Sequence, residues 1–141
     1  MDEKEKISRK LRFMKKYVDF LREYKPKSVE ELEKDDLLKA AIERNFQLAI
    51  ESALDIGEVI ISERDFEKPE EYRDIMLILG KHKILPMDFA ERFSKAAGFR
   101  NILVHMYEEV DAKKLHEYLQ NNLEDFSEFS MFIAGYLEKK G

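Results

Sequence analysis

Cysteine is absent from this 141-residue chain, which excludes disulfides, thiolate zinc sites and cysteine nucleophiles. The absence is compatible with a reducing cytoplasm. Glycine and proline are scarce, at five and three residues, so there is little material for many turns. No apolar run approaches the ~20 residues that a bilayer-spanning helix requires. Residues 2–16 are crowded with charge, unlike the apolar core of a signal peptide. The expectation is a cytoplasmic protein with no membrane association. Histidine is also rare, with three residues in all, so each position it occupies bears inspection.

What is present is helix-forming. Hydrophobic residues make up 44% and charged residues 39% of the chain, the balance of a water-soluble helical protein. The length fits one domain spanning 1–141, enough to bury roughly two-thirds of the unfolded surface. A net charge of −5 argues against a general nucleic-acid-binding surface. The charge is unevenly distributed. Between Lys81 and Arg100 five cations (81, 83, 92, 95, 100) face two acids, Asp88 and Glu91, for +3. From Asn101 to Glu128 seven acids face two lysines, for −5. On charge alone an ordinary solvated face is favoured over a phosphate-attracting one.

Apolar residues recur at spacings of three and four nearly throughout. Ile7, Leu11, Met14, Val18 and Leu21 mark a first helix over about 4–24, stopped by Lys25-Pro26. Ser28 and Glu31 form a capping-box signature for a short turn. Asp35 or Asp36 caps a long helix to about Glu63, with Leu38, Ile42, Phe46, Ala49, Ala53, Ile56 and Ile60 on its apolar face. Gly57 lies inside it, where glycine costs about 1 kcal/mol relative to alanine and often marks a close helix approach. Pro69 opens a helix ended by Gly80, and Pro86 opens another ended by Gly98 in the C-cap manner. A short helix from Phe99 to about Glu109 follows. Asp111 caps a final helix toward Glu138. No strand, repeat or domain boundary is visible. The pattern predicts an all-α antiparallel bundle.

The segment from Gly98 to Tyr107 carries the chemistry. It puts Arg100, Asn101, His105 and Tyr107 within eight residues. Arginine clamps phosphate through parallel hydrogen bonds, and histidine transfers protons near neutral pH. On an ideal helix Arg100 and Tyr107 share one flank, and Asn101 and His105 share the other. Arg100 and His105 are then about 140° apart, and a second copy of the helix can complete the site. Phe99, Ile102, Leu103, Met106 and Val110 form the core stripe. Val104, apolar on a polar face, points to a second subunit. The plainer alternative makes His105 surface decoration and pairs Arg100 with Glu108 or Asp111. His82 and His116 are assigned no role, and Asp55 with Glu58 is read as structural. No His and carboxylate residues have metal-ligand spacing. No glycine-rich phosphate loop is present. No cofactor is expected.

The stretch from Arg100 to Tyr107 resembles the signature of the HEPN superfamily, in which an arginine followed by a polar residue precedes a histidine. Its Arg-x4-His-x-Tyr spacing is similar to the HepT-type branch, as are the flanking Ala97-Gly98-Phe99 and Glu109-Val110-Asp111. The long helix, with Phe46-Gln47-Leu48-Ala49-Ile50 running into Ala53-Leu54-Asp55-Ile56, has a similar character. The resemblance implies an all-α homodimer acting as a metal-independent ribonuclease toxin on RNA. It also implies a partner, a minimal nucleotidyltransferase of the MntA type that serves as antitoxin. That partner would silence the nuclease by nucleotide transfer (AMPylation) to the motif tyrosine, here Tyr107. In this reading Arg100 and His105 are catalytic, Asn101 orients the imidazole or contacts phosphate, and no metal takes part. Two other readings remain open. One is a non-catalytic nucleotide- or RNA-binding module. The other is a structural subunit of a nucleotidyltransferase complex.

Overall fold

The computed structural model describes residues 1–105 and 110–140. Seven helices fill them: α1 (Glu3–Glu23), α2 (Val29–Lys34), α3 (Asp36–Glu63), α4 (Tyr72–Lys81), α5 (Met87–Val104), α6 (Ala112–Asn121) and α7 (Leu123–Lys140). No strand occurs among the described residues. Several starts are fixed by side-chain caps that satisfy otherwise orphaned backbone donors. Asp2 accepts from the Glu5 amide at 2.8 Å, Asp35 from Leu38 at 3.0 Å, and Asp111 from Lys113 at 3.0 Å. Ser28 and Glu31 form the expected reciprocal capping box on α2.

Four long helices make the bundle. Lys6 lies 3.9 Å from Glu63 and Lys10 3.6 Å from Asp55, so α1 and α3 are antiparallel. Arg22 donates to Ser127 at 2.6 Å near one end of α7, and Tyr136 donates to Glu3 at 3.1 Å near the other. That makes α7 antiparallel to α1 as well. An aromatic seam joins α5 to α7: the Phe93 ring lies 5.5 Å from Phe126 and 5.1 Å from Phe129, and Phe89 lies 5.1 Å from Phe132. Arg92 extends the seam to Asp125 at 3.2 Å and Glu128 at 3.0 Å. The Glu128 pair is exposed and fixes register more than it stabilises, whereas Asp125 is buried and depends on Arg92 as its partner. The stabilising term is the apolar core of Ile7, Met14, Leu21, Phe46, Ile56, Phe129 and their neighbours, all nearly inaccessible.

Helix α4 wedges between α3 and α5, and two glycines let it in. A Cβ on Gly57 would fall inside the Ile75 side chain. A Cβ on Gly80 would lie 2.7 Å from Ala90. Gly80 is therefore a packing residue inside α4 rather than its terminator; the helix runs on to Lys81. It begins at Tyr72, later than Pro69, because Asp74 accepts from the backbone N–H of Glu71 at 3.0 Å and sets the start there.

Three further expectations are corrected. Helix α5 does not end at Gly98, which has no positive φ and sits in open space in mid-helix. The segment after it is no separate helix: it is the last turn of α5, which stops at Val104, and the expected continuation through Met106 and Glu109 lies outside the described residues. The final helix is two helices, broken at Asn122.

Candidate functional site

The site is built on the last turn of α5. Phe99 anchors that turn. Its ring is buried, stacked flat on Tyr118 of α6 (3.8 Å, 7°) and edge-on to Phe46 of α3 (5.6 Å). With Phe99 turned into the core, Arg100 emerges at the seam between α3 and α5. Its Nε donates to Glu51 Oε2 at 3.2 Å and its Nη2 to the same oxygen at 3.1 Å. Gln47, one turn earlier on α3, donates to that oxygen at 3.3 Å. The third guanidinium nitrogen, Nη1, donates to Asn101 Oδ1 at 3.3 Å. Tyr72, the first residue of α4, lies under the guanidinium with its ring centroid 4.8 Å from Cζ.

The Arg100 side chain is 20% exposed and Glu51 is 31% exposed. A charge-assisted pair this sheltered is stronger than a free surface pair. Arg100 thus reaches across to a different helix, and neither Glu108 (outside the described residues) nor Asp111 is needed to explain its position.

His105 follows directly. Its amide donates to the Ile102 carbonyl at 3.3 Å, and its backbone then leaves the helix at ψ 105. The ideal-wheel angle between Arg100 and His105 therefore does not apply, because His105 is the residue at which the helix ends. Its side chain is exposed, as is Asn101. The expected core stripe holds for Phe99 and Val110, which are buried, and for Leu103, which is half-buried against the core, but not for Ile102, which is 39% exposed. Val104, expected on the open face, is half-buried. Tyr107 and Met106 lie outside the described residues.

The remaining charged candidates are structural. His82 stacks on Phe66 (3.7 Å, 5°) and its Nε2 lies 2.7 Å from Glu67, which also takes Lys81 at 2.6 Å. The hydrogen bond from Lys81, then that from His82, holds the Glu67 carboxyl down at about 2. Asp55 pairs with Lys10, while partial burial, reinforced by Asp55, pushes the Glu58 carboxyl up. Among the described residues no group of three or more His, Cys, Asp or Glu is arranged to hold a metal ion.

Two site residues escaped the sequence reading. Glu51 had a signal: Gln47 and Glu51 are polar at i, i+4 on a helix edge otherwise walled by Phe46, Ala49, Ile50, Ala53 and Leu54. Tyr72 had none, since its role depends on how α4 docks.

A helical bundle with an Arg-x4-His pair at the end of one helix defines a recognisable class, and comparison with known proteins assigns it. The family described as ribonuclease HepT-like matches residues 14–133. The chain belongs to that family. It is 26% identical over 131 residues to the tRNA nuclease HepT of Aphanizomenon flos-aquae, covering 93% of this chain and 89% of that one. It is 27% identical over 99 residues to the mRNA nuclease HepT of Shewanella oneidensis, covering 70% and 74%. The fold is shared with a tri-AMPylated Shewanella oneidensis HEPN toxin solved in complex with an MNT antitoxin. The TM-score there is 0.84 at 24% identity, covering 96% of this chain and 99% of that one.

Proposed function

We propose that this protein is a metal-independent endoribonuclease, the toxin of a toxin–antitoxin pair. The observation that carries the reading is the fixed Arg100, held at its Nε edge by Glu51 in the turn before His105. In the proposed reaction the ribose 2′-oxygen attacks the adjacent phosphorus. The bond from phosphorus to the 5′-oxygen breaks, leaving a cyclic phosphate and a free 5′-hydroxyl. His105 takes the proton from the 2′-hydroxyl or delivers one to the leaving oxygen. Arg100 stabilises the extra charge on the phosphorane-like transition state, and Asn101 orients the imidazole or contacts the phosphate. A homodimer would bring two such pairs into one cleft.

The antitoxin is a minimal nucleotidyltransferase of the MntA type, and Tyr107 is its target. An added nucleotide phosphate would place bulk and negative charge where the RNA phosphate binds. The protein acts in the cytoplasm, in keeping with its charged, cysteine-free sequence. No helix among the described residues is long and apolar enough to cross a membrane. The two HepT relatives are named for different RNAs, tRNA and mRNA, so the substrate class proposed is RNA.

The test is RNA cleavage by the purified protein with a chelator present, beside His105→Ala. Cleavage by the parent and none by the variant, at equal melting temperature, is the expected result. Cleavage retained in the variant overturns the role of His105. RNA bound but never cut by the parent favours the binding-module reading.

A further inference from the structure

Arg100 has five N–H donors in a planar fork, and their disposition is asymmetric. The Nε edge is committed to Glu51 through two bonds to one oxygen. One face of the guanidinium is covered by Tyr72. The Nη1 end points toward Asn101, an exposed residue. Three elements, α3, α4 and α5, therefore hold one cation so that a single end is offered outward.

We propose that Glu51 and Tyr72 are the positioning residues of Arg100, aiming its Nη1 end at an RNA phosphate. The proposal rests on the nuclease reading above. The physical reason is specific to arginine. An unrestrained side chain of this length has considerable rotamer entropy to lose when it engages a ligand. Glu51 and Tyr72 remove that freedom before RNA arrives. Preorganised charge acts on the transition state without a reorganisation cost. Glu51 also lowers the net positive charge at the site. The arrangement thus favours orientation over raw attraction, so its signature is turnover rather than affinity.

Two of the variants conserve shape and two do not. Glu51→Gln keeps the size of the side chain and removes its charge. Tyr72→Phe keeps the ring under the guanidinium, while Glu51→Ala and Tyr72→Ala remove each support. Tyr72 is 45% exposed, so its loss spares the core. The readouts are kcat and KM for RNA cleavage under chelator, with the melting temperature of each variant.

The expected result is a loss in kcat of roughly a hundredfold for Glu51→Gln and Glu51→Ala, the scale of a misplacement of about 1 Å, with KM within about twofold. Tyr72→Phe retains parental turnover and Tyr72→Ala does not. In an Arg100→Ala background, Glu51→Gln should bring no further loss, because the two act as one unit. A purely structural Glu51 would instead lower the melting temperature and remain additive with Arg100→Ala. Parental kcat in Glu51→Gln overturns the positioning role alone. Faster cleavage with a lower KM in Glu51→Gln overturns it too, making the carboxylate a brake. No cleavage by the parent overturns the nuclease reading and the positioning role with it.

Discussion

A guanidinium that donates twice to one carboxylate oxygen, and lies over a ring, has few rotamers left. That restraint sets the half-buried Arg100 apart from lysines such as Lys15 and Lys27, each of which reaches one carboxylate through its Nζ tip. Glu67 is a contrasting case. Its carboxyl is held down at about 2 by hydrogen bonds from Lys81 and His82, below the ordinary value of 4.5, so its contribution is present above about pH 4.5. That contribution is lost as the pH falls through about 2. Glu67→Gln should therefore lower the melting temperature slightly at neutral pH, and the gap from the parent should close between pH 4.5 and 2. A gap that is constant with pH would mean that the lost interaction does not depend on the carboxylate charge. At this scale the sequence singled out Arg100 and His105 as candidates, because rare residue types at a fixed spacing can be read without a fold. It hid Glu51, which lies 49 positions upstream, because a contact across helices has no local signature.

Among the elements, the glycines of α3, α4 and α5 show how one residue type takes opposite meanings. Gly98 faces open space in mid-helix, and Gly57 and Gly80 sit where a neighbouring helix touches the backbone. Gly98→Ala should stabilise the protein by about 0.5–1 kcal/mol, the ordinary glycine penalty in a helix. Gly57→Ala should destabilise it by about 1–3 kcal/mol through overpacking against Ile75. Chemical denaturation of both variants reads the signs, and like signs would show that the α3–α4 contact is looser than described. Helix positions were legible because caps and apolar periodicity are local. Their ends were less so. Glycine gave the wrong stops at Gly80, a packing position, and at Gly98, where the helix simply continues, and proline gave too early a start at Pro69, since the Asp74 cap sets it at Tyr72. The break at Asn122 lies inside an uninterrupted apolar rhythm, which conceals it.

The whole molecule couples a well-packed bundle to a motif at its margin. If a nucleotidyltransferase silences the protein through Tyr107, then co-expression with that partner should protect cells from the parent but not from Tyr107→Phe. Protection against both would place the control elsewhere. The bundle itself follows from composition and periodicity, so its class was readable from the start. The pairing of helices was not, because it depends on which faces meet, such as the Phe89, Phe93, Phe126, Phe129 and Phe132 seam between α5 and α7. That seam has a kinetic consequence. It grips the first half of α5, and Phe99, packed on Tyr118 and Phe46, pins the turn beyond it. Amide hydrogens from Phe89 to Arg100 should exchange with solvent only on the slowest openings of the bundle, and those from Ile102 to Val104, past the last of these anchors, on faster local ones. What breathes first is then the short stretch between the fixed Arg100 and His105.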